Sequence, residues 1–274
     1  MIRDITIGQY YPTNSVIHRL DPRVKILSTV FYLVSLFMFQ SVLGYVIAIL
    51  FLCTIIKVSK VPVSFIVKGL KPIILLLLIT VSFNLFLTSS GEILFQMGFL
   101  KITTDGLRSA VYMGIRLALL IAGSNIMTLT TTPNSLTDGI ERLLRPLNAI
   151  KVPVHEIAMM MSIALRFIPI LLEETDKIMK AQLARGADLE SGNLIEKAKS
   201  MIPILVPLFI SAFRRALDLA MAMEARCYQG GEGRTKMKPL IYHRQDWIGY
   251  SVVLCYLVGA FIIGRYVPFT IWIF

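Results

Sequence analysis

Charged residues vanish from the chain between Lys25 and Lys57, and apolar positions take their place almost without interruption. That stretch of about 31 residues would measure on the order of 45 Å as one helix, against about 30 Å of hydrocarbon in a bilayer. The pattern predicts two short antiparallel helices that turn near Gln40 and Ser41. A polar lead, residues 1–23, precedes them and ends in Leu20-Asp21-Pro22-Arg23. Asp21 can cap a helix and Pro22 can occupy its first position, so the first span should begin there. Further apolar runs predict a third span over Ile73–Thr88 and, after a mildly polar loop at 89–105, a fourth over Leu107–Leu129. Arg108 lies at the edge of that fourth span and Arg116 within it. An arginine at such depth faces protein or snorkels, and packing is the expected role.

The pattern changes over residues 133–246. Charge of both signs returns, and Pro133, Pro146 and Pro153 cut the chain into short pieces. A short helix is predicted near Asn134–Leu147, followed by two long ones, His155–Arg185 and Leu194–Arg226, each about 45 Å if fully helical. Their first halves, Ile157–Leu172 (interrupted by Arg166) and Met201–Phe213, are apolar and should lie at the interface or insert partway. Their second halves are amphipathic. Leu171, Leu172, Thr175, Ile178, Met179 and Leu183 make one stripe, and Phe213, Ala216, Leu217, Ala220 and Met221 the other. Pro169, Pro203 and Pro207 should bend these helices. A last apolar run, Trp247–Gly264, predicts a fifth span. The expected protein is therefore an all-α membrane protein. It has a four-span N-terminal transmembrane domain (1–132), a cytoplasmic domain of one short and two long crossing helices (133–246) and a C-terminal transmembrane helix (247–274).

Composition supports the membrane assignment, since 55% of residues are apolar and 16% charged, with a mean hydropathy of +0.70. A soluble domain of this size could not bury so much apolar surface. A net charge of +11 is common in nucleic-acid binders, but here the basic residues sit at the ends of apolar runs, as membrane topology requires. Arg19, Arg23 and Lys25 precede the first span, and Lys57, Lys60, Lys68 and Lys71 separate the second from the third. The loop at 89–105 carries Glu92 and Asp105 against Lys101 alone. With two helices in the first run, every basic cluster falls on the cytoplasmic side. The expected location is a cell membrane, with the N-terminus and the 133–246 region cytoplasmic.

Several kinds of chemistry find no support. Cys53, Cys227 and Cys255 have no metal-ligand spacing, and their odd count argues against a disulfide framework. His18, His155 and His243 are scattered. No GxxxxGK[ST] loop occurs, and Gly230-Gly231-Glu232-Gly233-Arg234-Thr235 lacks both its spacing and its lysine. Acidic residues are nearly missing from the spans, which disfavours a proton-coupled transporter.

The most informative motif is a repeat. Ala184-Arg185-Gly186 closes the first long helix, and Ala225-Arg226-Cys227 closes the second. Each arginine suits the helix dipole, and Gly186 suits a left-handed cap; either motif alone needs no further explanation. Their recurrence, with alanine before each arginine and a Met-rich amphipathic helix behind both, points to a shared role. Helices joined by a short connection, here 187–193, run in opposing directions. The two arginines should then lie tens of ångströms apart, more than two helix diameters, too far for one small ligand.

With these residues the chain resembles the transmembrane T component of energy-coupling-factor transporters. The resemblance rests on the paired Ala-Arg-Gly motifs (184–186 and 225–227), on GQYYPTNSVIHRLDPRVKIL at 8–27 and on MEARCYQGGEGRT at 223–235. It spans nearly the whole chain, with Cys227 the departure, replacing glycine and weakening the cap at that site. The resemblance implies a non-catalytic scaffold in an ATP-driven vitamin importer. It also implies two ABC-type ATPase subunits, each receiving one motif arginine against acidic residues, and a separate substrate-binding S component in the membrane. ATP and magnesium would bind to the ATPases and no cofactor to this chain; its other contact is membrane lipid, with no nucleic acid. Met159, Met160, Met161, Met179, Met201, Met221 and Met223 would give a surface able to adapt to several S components. The long N-terminal lead resembles shared vitamin-type modules more than dedicated cobalt, nickel or biotin ones. Rival readings are a self-contained secondary transporter and a membrane-embedded enzyme.

Overall fold

Asp21 caps the first long helix, as its place before Pro22 predicts, accepting the Arg23 N–H at 2.9 Å. In a computed structural model, residues 10–39, 41–87, 92–97, 100–187, 193–230, 237 and 239–266 are described. They divide into two compact units, one drawn from 8–139 and 240–274, the other from 140–239.

The larger unit begins with the single turn α1 (Val16–Arg19), then α2 (Pro22–Met38) and α3 (Val42–Ser59). The break between α2 and α3 falls at the predicted turn. Next come α4 (Val63–Leu70) and a 3₁₀ turn at Lys71–Ile73 leading into α5 (Ile74–Leu87). The expected loop at 89–105 holds an antiparallel hairpin, β1 (Ile93–Met97) with β2 (Leu100–Thr103), its register slipping between Ile93 and Phe95. The β-branched and aromatic residues there fit a strand, a local preference that the polar residues interspersed with them conceal. After the hairpin, α6 (Thr104–Thr130) opens on the side-chain cap of Thr103. The first half of α7 (Pro133–Leu144) and all of α10 (Arg244–Tyr266) complete the unit.

Among the described residues, six helical stretches are long and apolar enough to cross a membrane: Val42–Ser59, Val63–Phe86, Thr104–Thr130, Val154–Ala184, Ile195–Glu224 and Arg244–Ile262. The 17 residues of α2 stand at the short end of a span. α4 and α5 together make the third span, which starts ten residues earlier than the apolar run alone predicts. The last turn of α4 carries Lys68, which blurs the pattern.

The core of this unit lies where α2, α3, α6 and α10 meet, around Tyr32, Leu36, Ala48, Leu52, Ala122, Ile126, Tyr256 and Ala260. α6 comes close to α2 at Gly123, where an added Cβ would lie 2.6 Å from a Tyr32 ring carbon. Ser35 and Tyr256 share a hydrogen bond at 2.7 Å, so both hydroxyls are satisfied inside the apolar bundle. Arg116 does pack against protein. Its Nε donates to the Tyr45 hydroxyl at 2.9 Å and its Nη2 to the Phe39 carbonyl at 3.5 Å, at the α2–α3 turn.

At the other end of α2 the polar lead is tied down. Asp246, 1% exposed, accepts the N–H of Asp21 through Oδ1 and that of His243 through Oδ2, both at 2.7 Å. Arg23 donates twice to Asp21 (3.0 and 2.8 Å), once to the Leu240 carbonyl, and covers the Tyr242 ring at 3.8 Å. Lys25 Nζ donates to the carbonyls of His18 and Thr130 at 3.1 and 2.8 Å, the latter the last carbonyl of α6. His18 donates from Nε2 to the Tyr11 carbonyl, and burial holds its imidazole below the usual range.

The smaller unit holds the second half of α7, a 3₁₀ segment at Arg145–Ile150, and the long α8 (Val154–Ala184) and α9 (Leu194–Glu224). His155 pairs with Glu141 at 3.0 Å, joining the start of α8 to α7.

Two stability predictions follow from this packing. Asp246→Ala strands the buried Asp21 N–H and frees the part-buried His243 N–H, and should cost about 2–3 kcal/mol; an unchanged thermal midpoint in detergent would show that the tie holds nothing. Gly123→Ala should destabilise by about 1–3 kcal/mol in the native background. In a Tyr32→Leu background the penalty should vanish, and a double-mutant cycle reads the difference.

Candidate functional site

α8 and α9 run antiparallel, with two side-chain ties setting the register. Arg215 Nη2 meets Glu174 Oε2 at 3.3 Å, and Gln182 Nε2 donates to the Pro203 carbonyl at 3.3 Å. The second tie has a covalent cause. Pro207 has no N–H to give the carbonyl four residues back, so Pro203 is left with an unanswered acceptor, which Gln182 fills. Both prolines, and Pro169 in α8, lie inside continuous helices.

The two motifs end their helices with the same hydrogen bonds, counted from the arginine. In the first, the N–H of Arg185 bonds the Gln182 carbonyl at 3.1 Å, Gly186 bonds Leu183 at 3.0 Å, and Ala187 bonds Gln182 at 3.0 Å. In the second, Arg226 bonds Met223 at 3.1 Å, Cys227 bonds Glu224 at 2.8 Å, and Tyr228 bonds Met223 at 3.0 Å. Both are Schellman endings, which require a left-handed residue just after the arginine. Gly186 has φ of +84° and Cys227 φ of +57°. Cys227 therefore takes up the backbone role that glycine fills in the first motif, at a strain of about 1–2 kcal/mol. The weakening expected at this site is a cost in strain, and the cap forms nonetheless.

Ala184, Arg185 and Gly186 are exposed, as are Ala225, Arg226 and Cys227. Among the described residues neither guanidinium has a side-chain partner. The pairing of 174 with 215 and of 182 with 203 sets Arg185 level with about residue 202 of α9. From there to Arg226 is about 24 residues, or roughly 36 Å of helix. One small ligand cannot bridge that distance.

Between these ends α9 displays an apolar row, with Ile202, Val206, Phe209, Phe213, Leu217 and Met221 all at least half exposed. Their three- and four-residue spacing puts them along one face. Of the seven methionines in the sequence-derived group, Met160, Met161, Met201 and Met221 are exposed, while Met159, Met179 and Met223 are half-buried. Sequence reasoning missed Gln182, Glu174 and Arg215. The Pro203/Pro207 spacing was the one available signal, since it leaves a carbonyl needing a donor.

The family model described as cobalt transport protein (CbiQ) matches residues 13–237. A protein of Clostridium kluyveri called energy-coupling factor transporter transmembrane protein EcfT is 59% identical over 97% of this chain and 98% of its own. The proteins of the same name from Bacillus subtilis and Lactococcus lactis are 48% and 49% identical, over 95% and 89% of this chain and 97% and 92% of theirs. The chain therefore belongs to the family of energy-coupling factor transporter transmembrane proteins, as the transmembrane component of such a transporter.

Proposed function

We propose that this subunit transmits ATPase motion to a solute-binding membrane partner and catalyses no reaction itself. Arg185 and Arg226 each seat in an acidic groove of one of two ABC-type ATPase subunits. ATP and magnesium bind to those subunits, and this chain carries no cofactor. The exposed apolar row of α9, with its methionines, receives a substrate-binding S component, and vitamins are the solutes that the whole importer takes up. The N-terminus and the 140–239 unit face the cytoplasm, where the ATPases are.

One observation carries the reading: two identically built helix ends present unpartnered arginines roughly 36 Å apart. Arginine suits such a joint, because its planar fork grips a carboxylate in two directions and so passes on torque as well as pull. The Schellman ending ties the arginine backbone to the last turn of its helix, so a push on the guanidinium moves the helix. The exposed methionines of α9, Met201 and Met221, are flexible and unbranched and suit a partner that exchanges.

Capture of the ATPases tests this. Arg185→Glu and Arg226→Glu should each weaken one interface by about thirtyfold or more, the worth of at least 2 kcal/mol for a buried charge pair. The double variant should insert in the membrane and recover neither ATPase on affinity purification. Arg→Lys should fall between, since it keeps the charge and loses the fork. Cys227→Gly should retain both ATPases and relieve about 1–2 kcal/mol of left-handed strain. Intact assembly of the double Glu variant would overturn the assigned roles.

Reconstitution addresses the rival of a self-contained transporter. The purified chain alone in liposomes should show no solute uptake and bind no vitamin. Uptake should require ATPases, S component and ATP together. Transport by the chain alone would end the coupling reading.

A further inference from the structure

In the larger unit, α2, α3, α6 and α10 part toward the end where α1 lies, leaving a cavity of about 410 Å³. That volume is within the ~300–1,000 Å³ common for sites that hold small molecules. On α2 it reaches from Val24 to Tyr32, and on α6 from Gly123 to Thr130. Seven or eight residues of helix make it about 10–12 Å deep, roughly a third of the hydrocarbon thickness.

Its deep end is closed by Tyr32 and by Phe51, whose ring stacks on Tyr256 at 4.2 Å. Its side is not closed. Thr54, Val58, Ile248 and Val252 line it and are nevertheless exposed, so it opens between α3 and α10, on a face that belongs in lipid. The walls are mostly aliphatic. A molecule entering sideways must already be dissolved in the bilayer, and an alkyl chain fits both walls and route.

Apolar walls alone cannot select one lipid, because the tails of every lipid are equally apolar. Charge can. Lys25, 8% exposed, lines the cavity, and among the described residues two of its three N–H groups are engaged. At this end the half-buried Arg23 and the buried Lys25 balance the buried Asp21 and Asp246. The exposed ones are basic: Arg19, Lys57 and Arg244 are each the chain neighbour of a lining residue. This rim favours a negative headgroup.

We propose that the cavity between α3 and α10 holds one acyl chain of an anionic phospholipid, its headgroup on the basic rim formed by Arg19, Lys57 and Arg244. The site rests on the chain spanning a bilayer and is independent of the coupling roles of Arg185 and Arg226.

The test uses the full chain in nanodiscs of equal parts phosphatidylglycerol and phosphatidylcholine, re-extracted in mild detergent, with retained lipids counted by native mass spectrometry. The wild type should keep one phosphatidylglycerol. Thr54→Trp with Val252→Trp plugs the opening from exposed positions and should cut occupancy about tenfold, the worth of roughly two buried methylenes. Lys57→Gln with Arg244→Gln should lower the preference for phosphatidylglycerol about tenfold. Both residues are exposed, so this arm reads out even if the tryptophan variant fails to fold. Leu254→Trp, exposed and outside the lining, should change nothing. No retained lipid, equal retention by the plugged variant, unaltered preference in the charge variant, or a non-lipid molecule in the cavity would each overturn the proposal.

Discussion

A helix that stops must answer its last carbonyls, and in α8 and α9 this obligation places the residues that matter. Four C=O groups at a helix end have no partner within it. The Schellman ending answers two of them by turning one residue into the left-handed region, and each motif spends its third residue on that turn. The arginine just before is then held at the last turn, exposed and, among the described residues, without a side-chain partner. Any site at these positions inherits its rigidity from backbone hydrogen bonds, so it needs no surrounding side chains to shape it.

The same obligation explains the scattered polar residues. Lys25 answers the final carbonyl of α6, Gln182 the carbonyl orphaned by Pro207, and Arg116 a carbonyl at the α2–α3 turn. In hydrocarbon an unanswered carbonyl costs several kcal/mol. A long side chain within reach is therefore worth its desolvation. Such residues look misplaced in an apolar run until their targets are known.

What was legible in the sequence follows from range. The α2–α3 break, the Asp21 cap, the ends of α8 and α9 and the paired arginines are local events, written within a few residues of where they occur. The hairpin at Ile93–Thr103 was not read, because a short strand pair in a polar segment leaves no periodicity longer than a loop. The Asp21–Asp246 tie joins residues 225 apart in the chain, and no spacing rule connects them. The cavity is a gap among five elements, and a single sequence does not encode a gap in any one of them. For the motifs, the sequence showed that a left-handed residue is wanted at 186. Only the backbone shows that Cys227 accepts the same conformation.

The smaller unit poses a final question of stability. Among the described residues of α8 and α9, Val154, Ala158 and Ile204 alone are buried. Two 31-residue helices joined, among the described residues, by one half-buried salt bridge, one side-chain hydrogen bond and so little core could not offset the conformational entropy of ordering them in water. Their amphipathic faces need an outside partner to bury them. Lipid can cover the apolar first halves, but the arginine-bearing ends, with charged residues on both helices, call for protein. The unit is thus built to be completed by what it binds, as a part that relays motion should be: a self-sufficient core would let it stand unmoved by its partners.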